Sequence, residues 1–286
     1  MTLSGFRCMA IKPMTLNDKF TRLKEDLKQM ERVIVAYSGG VDSTFLLKAS
    51  SIAGMKQILA VTALSETLPH EELSIARGIT SALNIEHRII TTEELKDKNF
   101  SDNPPDRCYY CKKELFSKLN DIAAKENFSF ILDGTNTDDT RDHRPGRRAA
   151  KEMGVHSPLL NAGLSKKEIR EISRTLGLPT WNKPATPCLS SRFPYGQKIT
   201  AEGLERVNRA ENFLKRLGLT DIRVRDHSGI ARIEVIQEEF AILMEKNNRK
   251  EIITLLKSLG YKYITLDLQG FRSGSLNENL KCKKQN

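Results

Sequence analysis

The chain has 286 residues, 39% apolar and 29% charged, with 46 basic against 36 acidic side chains and a formal net charge of +10. This length suits one large domain or two smaller ones with an ample core, and no apolar run approaches the roughly 18 residues a membrane span needs. Residues 1–15 hold no apolar signal core, so the cytoplasm is the expected compartment and no membrane partner is expected. The positive balance favours anionic partners such as nucleotides, phosphorylated metabolites or RNA, and a solvated lysine-rich surface explains it equally well. Five cysteines, Cys8, Cys108, Cys111, Cys188 and Cys282, are too few and too uneven for a disulfide framework.

In chain order, residues 14–30 predict an amphipathic helix with Phe20, Leu23, Leu27 and Met30 on one face. Arg32-Val33-Ile34-Val35-Ala36-Tyr37 is a β-branched run of the kind buried on both sheet faces. Gly39-Gly40 ends it, and 43–53 has helical composition. A strand at 57–64, a helix near 70–83, a strand at 86–90, a helix at 111–126 and a strand at 128–132 follow. This alternation predicts an open parallel α/β sheet with helices on both faces, binding its ligands at the carboxyl ends of the strands. Residues 179–194 break the pattern with four prolines, Trp181 and Cys188. Beyond them come a helix at 201–217, strands at 222–225 and 230–236, a helix at 238–259 and a strand at 261–266. These predict a smaller α+β domain over 195–286 after a first domain over 1–194. The polar tail from Leu276 is expected to fray, and no internal repeat is visible.

Ser38-Gly39-Gly40-Val41-Asp42-Ser43 lies between a predicted strand and a predicted helix. Such a turn exposes unpaired N–H groups at a helix start, where the dipole also attracts phosphate. Glycines permit close backbone approach, Ser38 and Ser43 add hydroxyls, and Asp42 suits orienting the loop or holding Mg²⁺. No Gly-Lys-Ser/Thr follows, so this is not a Walker loop. The alternative is a tight turn that merely caps a helix.

Ala36-Tyr37-Ser38-Gly39-Gly40-Val41-Asp42-Ser43 resembles the signature of the PP-loop ATP pyrophosphatases. That resemblance implies a modified doubly wound sheet and cleavage of ATP into an adenylated substrate and pyrophosphate. A narrower resemblance rests on Asp133-Gly134-Thr135-Asn136-Thr137-Asp138-Asp139, then Arg141, Arg144-Pro145-Gly146-Arg147 and Leu164-Ser165-Lys166-Lys167-Glu168-Ile169-Arg170. It extends to Pro187-Cys188-Leu189-Ser190-Ser191-Arg192-Phe193-Pro194-Tyr195-Gly196, Ala231-Arg232-Ile233-Glu234, and Leu266-Asp267-Leu268-Gln269-Gly270-Phe271-Arg272-Ser273-Gly274. Over about 28–277 the chain is similar to the LarE family, ATP-dependent sulfur transferases of nickel-pincer cofactor biosynthesis. The family's substrate is pyridinium-3,5-dicarboxylate mononucleotide, a nicotinate-derived nucleotide whose carboxylates become thiocarboxylates.

The resemblance implies that Ala36, Ser38, Gly39, Gly40, Asp42 and Ser43 hold the nucleotide phosphates, with Asp138 near ATP or its Mg²⁺. It implies that Lys166 and Arg192 contact pyrophosphate or substrate, and that Arg144, Arg147 and Ser190 meet the substrate. For the basic residues, surface charges or ion pairs are the plain alternative. The resemblance also implies a homo-oligomer, with hexamers known in the family, and places Glu234, Arg249 and Asp267 at an interface or metal site; surface ion pairs explain them as well.

Cys108-Tyr109-Tyr110-Cys111 has C-x-x-C spacing, and a helix start there would lower the thiol pKa. One version of the family spends the cysteine corresponding to Cys188 as its sulfur source. With Cys108 and Cys111 present, the chain resembles the version in which three thiolates hold a [4Fe–4S] cluster fed by a sulfide donor. Structural zinc and a redox dithiol are the alternatives. Cys8 and Cys282 read as bystanders, His143 and His156 as packing or surface residues, and Trp181 as packing or a stacking ring. Rival functions are a tRNA thiolase, an amide-forming ligase and a nucleotide-binding redox sensor. No RNA-binding motif supports the first.

Overall fold

The computed structural model describes residues 14–140, 144–272 and 274–277. Cys8, Arg141, His143, Ser273 and Cys282, singled out above, lie outside them, as does the tail beyond residue 277. Helix α1 (Leu16–Lys28) opens on a capping box between Thr15 and Asp18, and it buries Leu23 and Leu27 completely. Strand β1 (Arg32–Ala36) follows, then α2 (Val41–Ile52), β2 (Gln57–Leu64), α3 (His70–Ala82) and β3 (Glu86–Thr91). A short α4 (Lys98–Ser101) and a long α5 (Arg107–Glu126) lead to β4 (Phe130–Leu132).

These strands form an all-parallel sheet in the order β3-β2-β1-β4, the α/β class the alternation predicts. The chain steps outward from β1 to β2 and β3, then returns to place β4 on the far side of β1. That reversal makes a topological switch between β1 and β4, the usual seat of a ligand in such sheets. The central strand is apolar because helices cover both its faces. Val33 and Val35 join the α1–α2 side with Leu23 and Phe45, and Ile34 joins the α5 side with Phe116 and Leu119.

Three further helices, α6 (Gly146–Glu152), α7 (Pro158–Asn161) and α8 (Lys166–Thr175), precede a stretch of irregular chain. That stretch includes a 3₁₀ turn at Leu189–Arg192. Helix α9 (Ala201–Arg216) then starts the second unit, with β5 (Arg223–His227), β6 (Ile230–Glu234), α10 (Phe240–Met244), α11 (Lys246–Ser258) and β7 (Tyr263–Leu266). Its sheet runs β5-β6-β7, antiparallel then parallel, over a core that includes Leu214, Val224, Ile233, Ile252 and Leu256. The single helix expected over 238–259 is two helices. Glu245 takes φ −56° and ψ 139° and turns its carboxylate onto the amides of Asn247 and Asn248, each at 2.8 Å, which caps α11. Among the described residues no helix is long and apolar enough to cross a membrane.

Candidate active site

β1 passes into α2 through Tyr37-Ser38-Gly39-Gly40. Gly39 has φ +71°, and a Cβ there would lie 3.3 Å from the Ala76 Cβ, so the position is both left-handed and crowded. Gly40 is the N-cap of α2, and among the described residues no side chain caps the amides of the first turn. Open amides at the positive end of a helix make an anion cradle. Ser38 and Ser43 set its shape: their hydroxyls lie 3.2 Å apart, and the Ser38 N–H donates to Ser43 Oγ at 3.3 Å. Ala36 ends β1 in register with Val61.

The exit of β4 closes on the same turn. A Cβ on Gly134 would sit 3.0 Å from the Ser43 amide nitrogen and 3.1 Å from the Asp42 Cβ. Asp42 Oδ2 accepts from the Lys166 ammonium, while its Oδ1 is buried without a partner among the described residues. Lys166 opens α8, and its main-chain N–H donates to Asp138 Oδ2 at 2.8 Å. Asp42, Asp138 and Lys166, remote in sequence, are thus gathered at the β1–β4 switch. An unpartnered carboxylate oxygen beside an amide cradle fits Mg²⁺, which takes one or two carboxylates together with substrate phosphates.

Two residues at the cradle went unread in the sequence. Lys183 Nζ lies 3.2 Å from the Gly39 carbonyl oxygen and 2.6 Å from Glu72 Oε2. A lone lysine among prolines and a glutamate in a helix carry no motif, and only the fold joins them.

Arg144 pairs with Asp139 at 2.9 Å, and Arg147 donates to the Asp139 carbonyl at 3.5 Å, so both stand beside the Asp138 turn. Arg192 departs from the expected contact with pyrophosphate or substrate. It is 1% exposed. Its Nε and Nη2 grip Glu211 at 2.8 and 2.7 Å, and its Nη1 donates to the carbonyls of Pro187 at 2.9 Å and Cys188 at 3.3 Å. Its donors are engaged inside the protein, and its place is that of a brace under the Cys188 segment. Ser190 is fully buried, and its hydroxyl has no partner among the described residues. Glu234 is likewise held within the second unit by Arg225 and Arg232, Asp267 stands 3.5 Å from Arg232, and Arg249 is exposed on α11.

Helix α5 begins at Arg107, so Cys108 and Cys111 both lie on it, one turn apart on the same face. Cys188 is exposed at the start of the 3₁₀ turn, and the next residue, Leu189, donates its N–H to the Thr67 carbonyl at 2.9 Å. Cys111 packs against the cluster of Phe100, Leu189 and Phe193. None of the three is in a disulfide. The thiol pKa values run opposite to the sequence expectation. Burial, then the nearby charge of Glu94, pushes Cys111 up. Burial, then Cys188, raises Cys108 against the pull of Arg107, Lys112 and Arg144; its sulfur is reachable from solvent, yet protein crowds it on most sides. Desolvation therefore outweighs the helix start.

Glu94, also unread in the sequence, is buried. Its Oε1 accepts from Ser65 Oγ at 2.7 Å and Thr67 Oγ1 at 2.8 Å, and its Oε2 has no partner among the described residues. Among the described residues no three histidine, cysteine or carboxylate side chains are close enough to hold a single metal ion. The three thiols nonetheless share one electrostatic neighbourhood. An iron–sulfur cubane spreads its ligands wider than a lone ion, and a donor set made of thiolates is the one it takes. The carboxyl ends of all four parallel strands contribute here: the cradle from β1, Ser65 and Thr67 after β2, Glu94 after β3, and Gly134 and Asp138 after β4.

No family model matches the chain. It is 41% identical over 270 residues, 93% of this chain and 96% of the relative, to the pyridinium-3,5-bisthiocarboxylic acid mononucleotide synthase of Lactiplantibacillus plantarum. It is 43% identical over 265 residues, 93% of this chain and 99% of the relative, to an uncharacterized protein of Synechocystis. A more distant likeness, 27% over 211 residues, covers 65% of this chain and 40% of the glutamine-hydrolyzing GMP synthase of Thermus thermophilus.

Proposed function

The chain belongs to the LarE family of sulfur transferases, and we propose that it spends ATP to turn the ring carboxylates of pyridinium-3,5-dicarboxylate mononucleotide into thiocarboxylates for the nickel-pincer cofactor. The observation that carries this reading is an open amide cradle at the carboxyl end of the parallel sheet, with Cys188 on the strap that passes it. Lys183 touches the cradle at 3.2 Å, and the chain from Lys183 to Cys188 spans at most roughly 18 Å when fully extended.

Oxygen is hard to displace from a carboxylate because oxide is a poor leaving group. A substrate carboxylate oxygen attacks the α-phosphorus of ATP, the bond to the bridging α–β oxygen breaks, and pyrophosphate leaves with the electron pair. A sulfur nucleophile then adds to the acyl carbon, and AMP departs carrying the former carboxylate oxygen. The amides of the α2 first turn, with Ser38 and Ser43, take the phosphate charge as it shifts. Asp42 and Asp138 would hold Mg²⁺, Lys166 balances Asp42, and Arg144 and Arg147 meet the substrate, whereas Ser190, fully buried, does not reach it. Cys108, Cys111 and Cys188 would hold a [4Fe–4S] cluster, which would supply the sulfur for transfer with a sulfide donor as its source. On this reading residues 1–194 carry the ATP chemistry, 195–286 form the second domain, and copies of the chain associate.

The test is isotopic and anaerobic. With substrate carboxylates labelled by ¹⁸O, ATP, Mg²⁺ and sulfide, each thiocarboxylate formed should be matched by one pyrophosphate and one AMP bearing one heavy oxygen. Thiocarboxylate without label in AMP would refute activation by adenylation.

A further inference from the structure

We propose that Lys183 is a binding residue for the diphosphate end of ATP, held ready by Glu72; this rests on the reading of the Gly39–Gly40 turn as the ATP site. Two ammonium groups reach that turn. Lys166 is paired with Asp42 on the α2 side. Lys183 comes from the opposite wall, where its Nζ divides itself between the Gly39 carbonyl at 3.2 Å and Glu72 Oε2 at 2.6 Å. The pair is largely withdrawn from water, with side chains 15% and 13% exposed.

A lysine removed from water needs strong acceptors to offset its lost hydration. Here one of its two acceptors is a neutral carbonyl on the rim of an anion cradle. Phosphate oxygens are stronger acceptors for an ammonium, and the cradle brings them to that rim. The amides of α2 donate hydrogen bonds but carry no net charge, so a diphosphate there gains from an ammonium beside the turn that can exchange a neutral acceptor for a phosphate oxygen. Lys183 can do so by giving up the Gly39 carbonyl while keeping Glu72.

The backbone beneath it is fixed. Arg170 donates to the carbonyls of Trp181 at 2.8 Å and Lys183 at 2.7 Å, so reaching the phosphates requires rotation of the lysine stem alone. The wall is fixed too, since a Cβ on Gly39 would lie 3.6 Å from the Glu72 carbonyl oxygen of α3. Because Lys183 serves the β and γ phosphates, it distinguishes ATP from AMP. It also lies on the same strap as Cys188, five positions earlier, so it ties the occupancy of the cradle to the segment that carries the thiol.

The full chain is titrated by calorimetry with Mg²⁺–α,β-methylene-ATP, which cannot be cleaved to AMP, and separately with AMP. Lys183→Met should weaken the analogue by about 10- to 100-fold, the worth of a charged hydrogen bond, and leave AMP within about twofold. Lys183→Arg should recover most of the loss, and Glu72→Gln, which loosens the hold on Lys183, should weaken the analogue by less than Lys183→Met does and leave AMP within about twofold. Lys183→Gln replaces the Met variant if that one fails to fold. Equal weakening of both ligands, no weakening of either, or a loss in Glu72→Gln as large as in Lys183→Met would overturn the proposal, since each marks the pair as a plain brace. If the wild-type chain binds neither ligand, the ATP reading falls first and the role of Lys183 with it.

Discussion

Replacing Arg192 by methionine separates a brace from a phosphate ligand. Methionine keeps most of the volume, so the loss is electrostatic rather than a cavity. It leaves the Glu211 carboxylate, 5% exposed, with the Val224 N–H at 2.9 Å as its remaining hydrogen bond. It also frees the carbonyls of Pro187 and Cys188. Removing one partner of a buried pair costs about 3–5 kcal/mol, a large share of the roughly 5–15 kcal/mol that holds a domain folded. At about 2–4 °C per kcal/mol for a chain of this order of size, the melting midpoint should fall by roughly 6–20 °C. Glu211→Gln in the same chain removes the stranded charge yet keeps an acceptor for Val224, and should restore about 2 kcal/mol. Urea titrations of wild type and the two variants measure these losses, and calorimetry with α,β-methylene-ATP below the transition should show affinity within about threefold of wild type. A variant that melts like wild type but no longer binds the analogue would refute the brace and restore Arg192 to the phosphates.

Gly134→Ala should cost about 1–3 kcal/mol by overpacking against the start of α2 and slow AMP formation; a variant with unchanged stability and turnover would show that the turn yields. His87 and His227 both titrate below the usual 6.5, chiefly through burial, aided by Arg77 for the first and Arg232 for the second. The folded protein therefore binds fewer protons than the unfolded chain as pH falls through that value, so stability is full above it and declines on acidification. His87→Gln should flatten that decline in urea midpoints between about pH 7 and 5, and an unaltered slope would refute the assignment. After anaerobic reconstitution with iron and sulfide, Cys108→Ala should retain below about a tenth of the wild-type iron; undiminished iron would remove Cys108 from the ligand set.

The parallel sheet was legible because it is written locally. The β2 boundaries at 57–64 match the apolar run, and Val33, Ile34 and Val35 announce a strand covered on both faces. The cradle was legible for the same reason, since a strand, two glycines and a helix start are neighbours in sequence. Contacts across long separations left no such trace. Lys183 meets Glu72 across 111 residues, and Glu94 reaches the thiol neighbourhood through Ser65 and Thr67. Arg192 looked like a free cation because its partner, Glu211, stands in the following helix. The thiol shifts were misjudged because the dipole of α5 is visible in sequence and the crowding around its first turn is not. The break at Glu245 was hidden because an apolar pattern runs through it while the polar cap interrupts only the backbone.

The boundary expected at residue 194 falls two positions after Arg192, whose counter-ion lies on α9. Leu189 and Phe193 are covered there by Leu204 and Val207. A gene cut at that boundary would yield a front piece with an orphaned cation at its rim and a back piece with an orphaned anion. The parallel-sheet unit is therefore not a portable cassette. Recombination that moves it to a new setting must carry α9 along, which ties the inheritance of the sulfur-bearing strap to that of the smaller sheet.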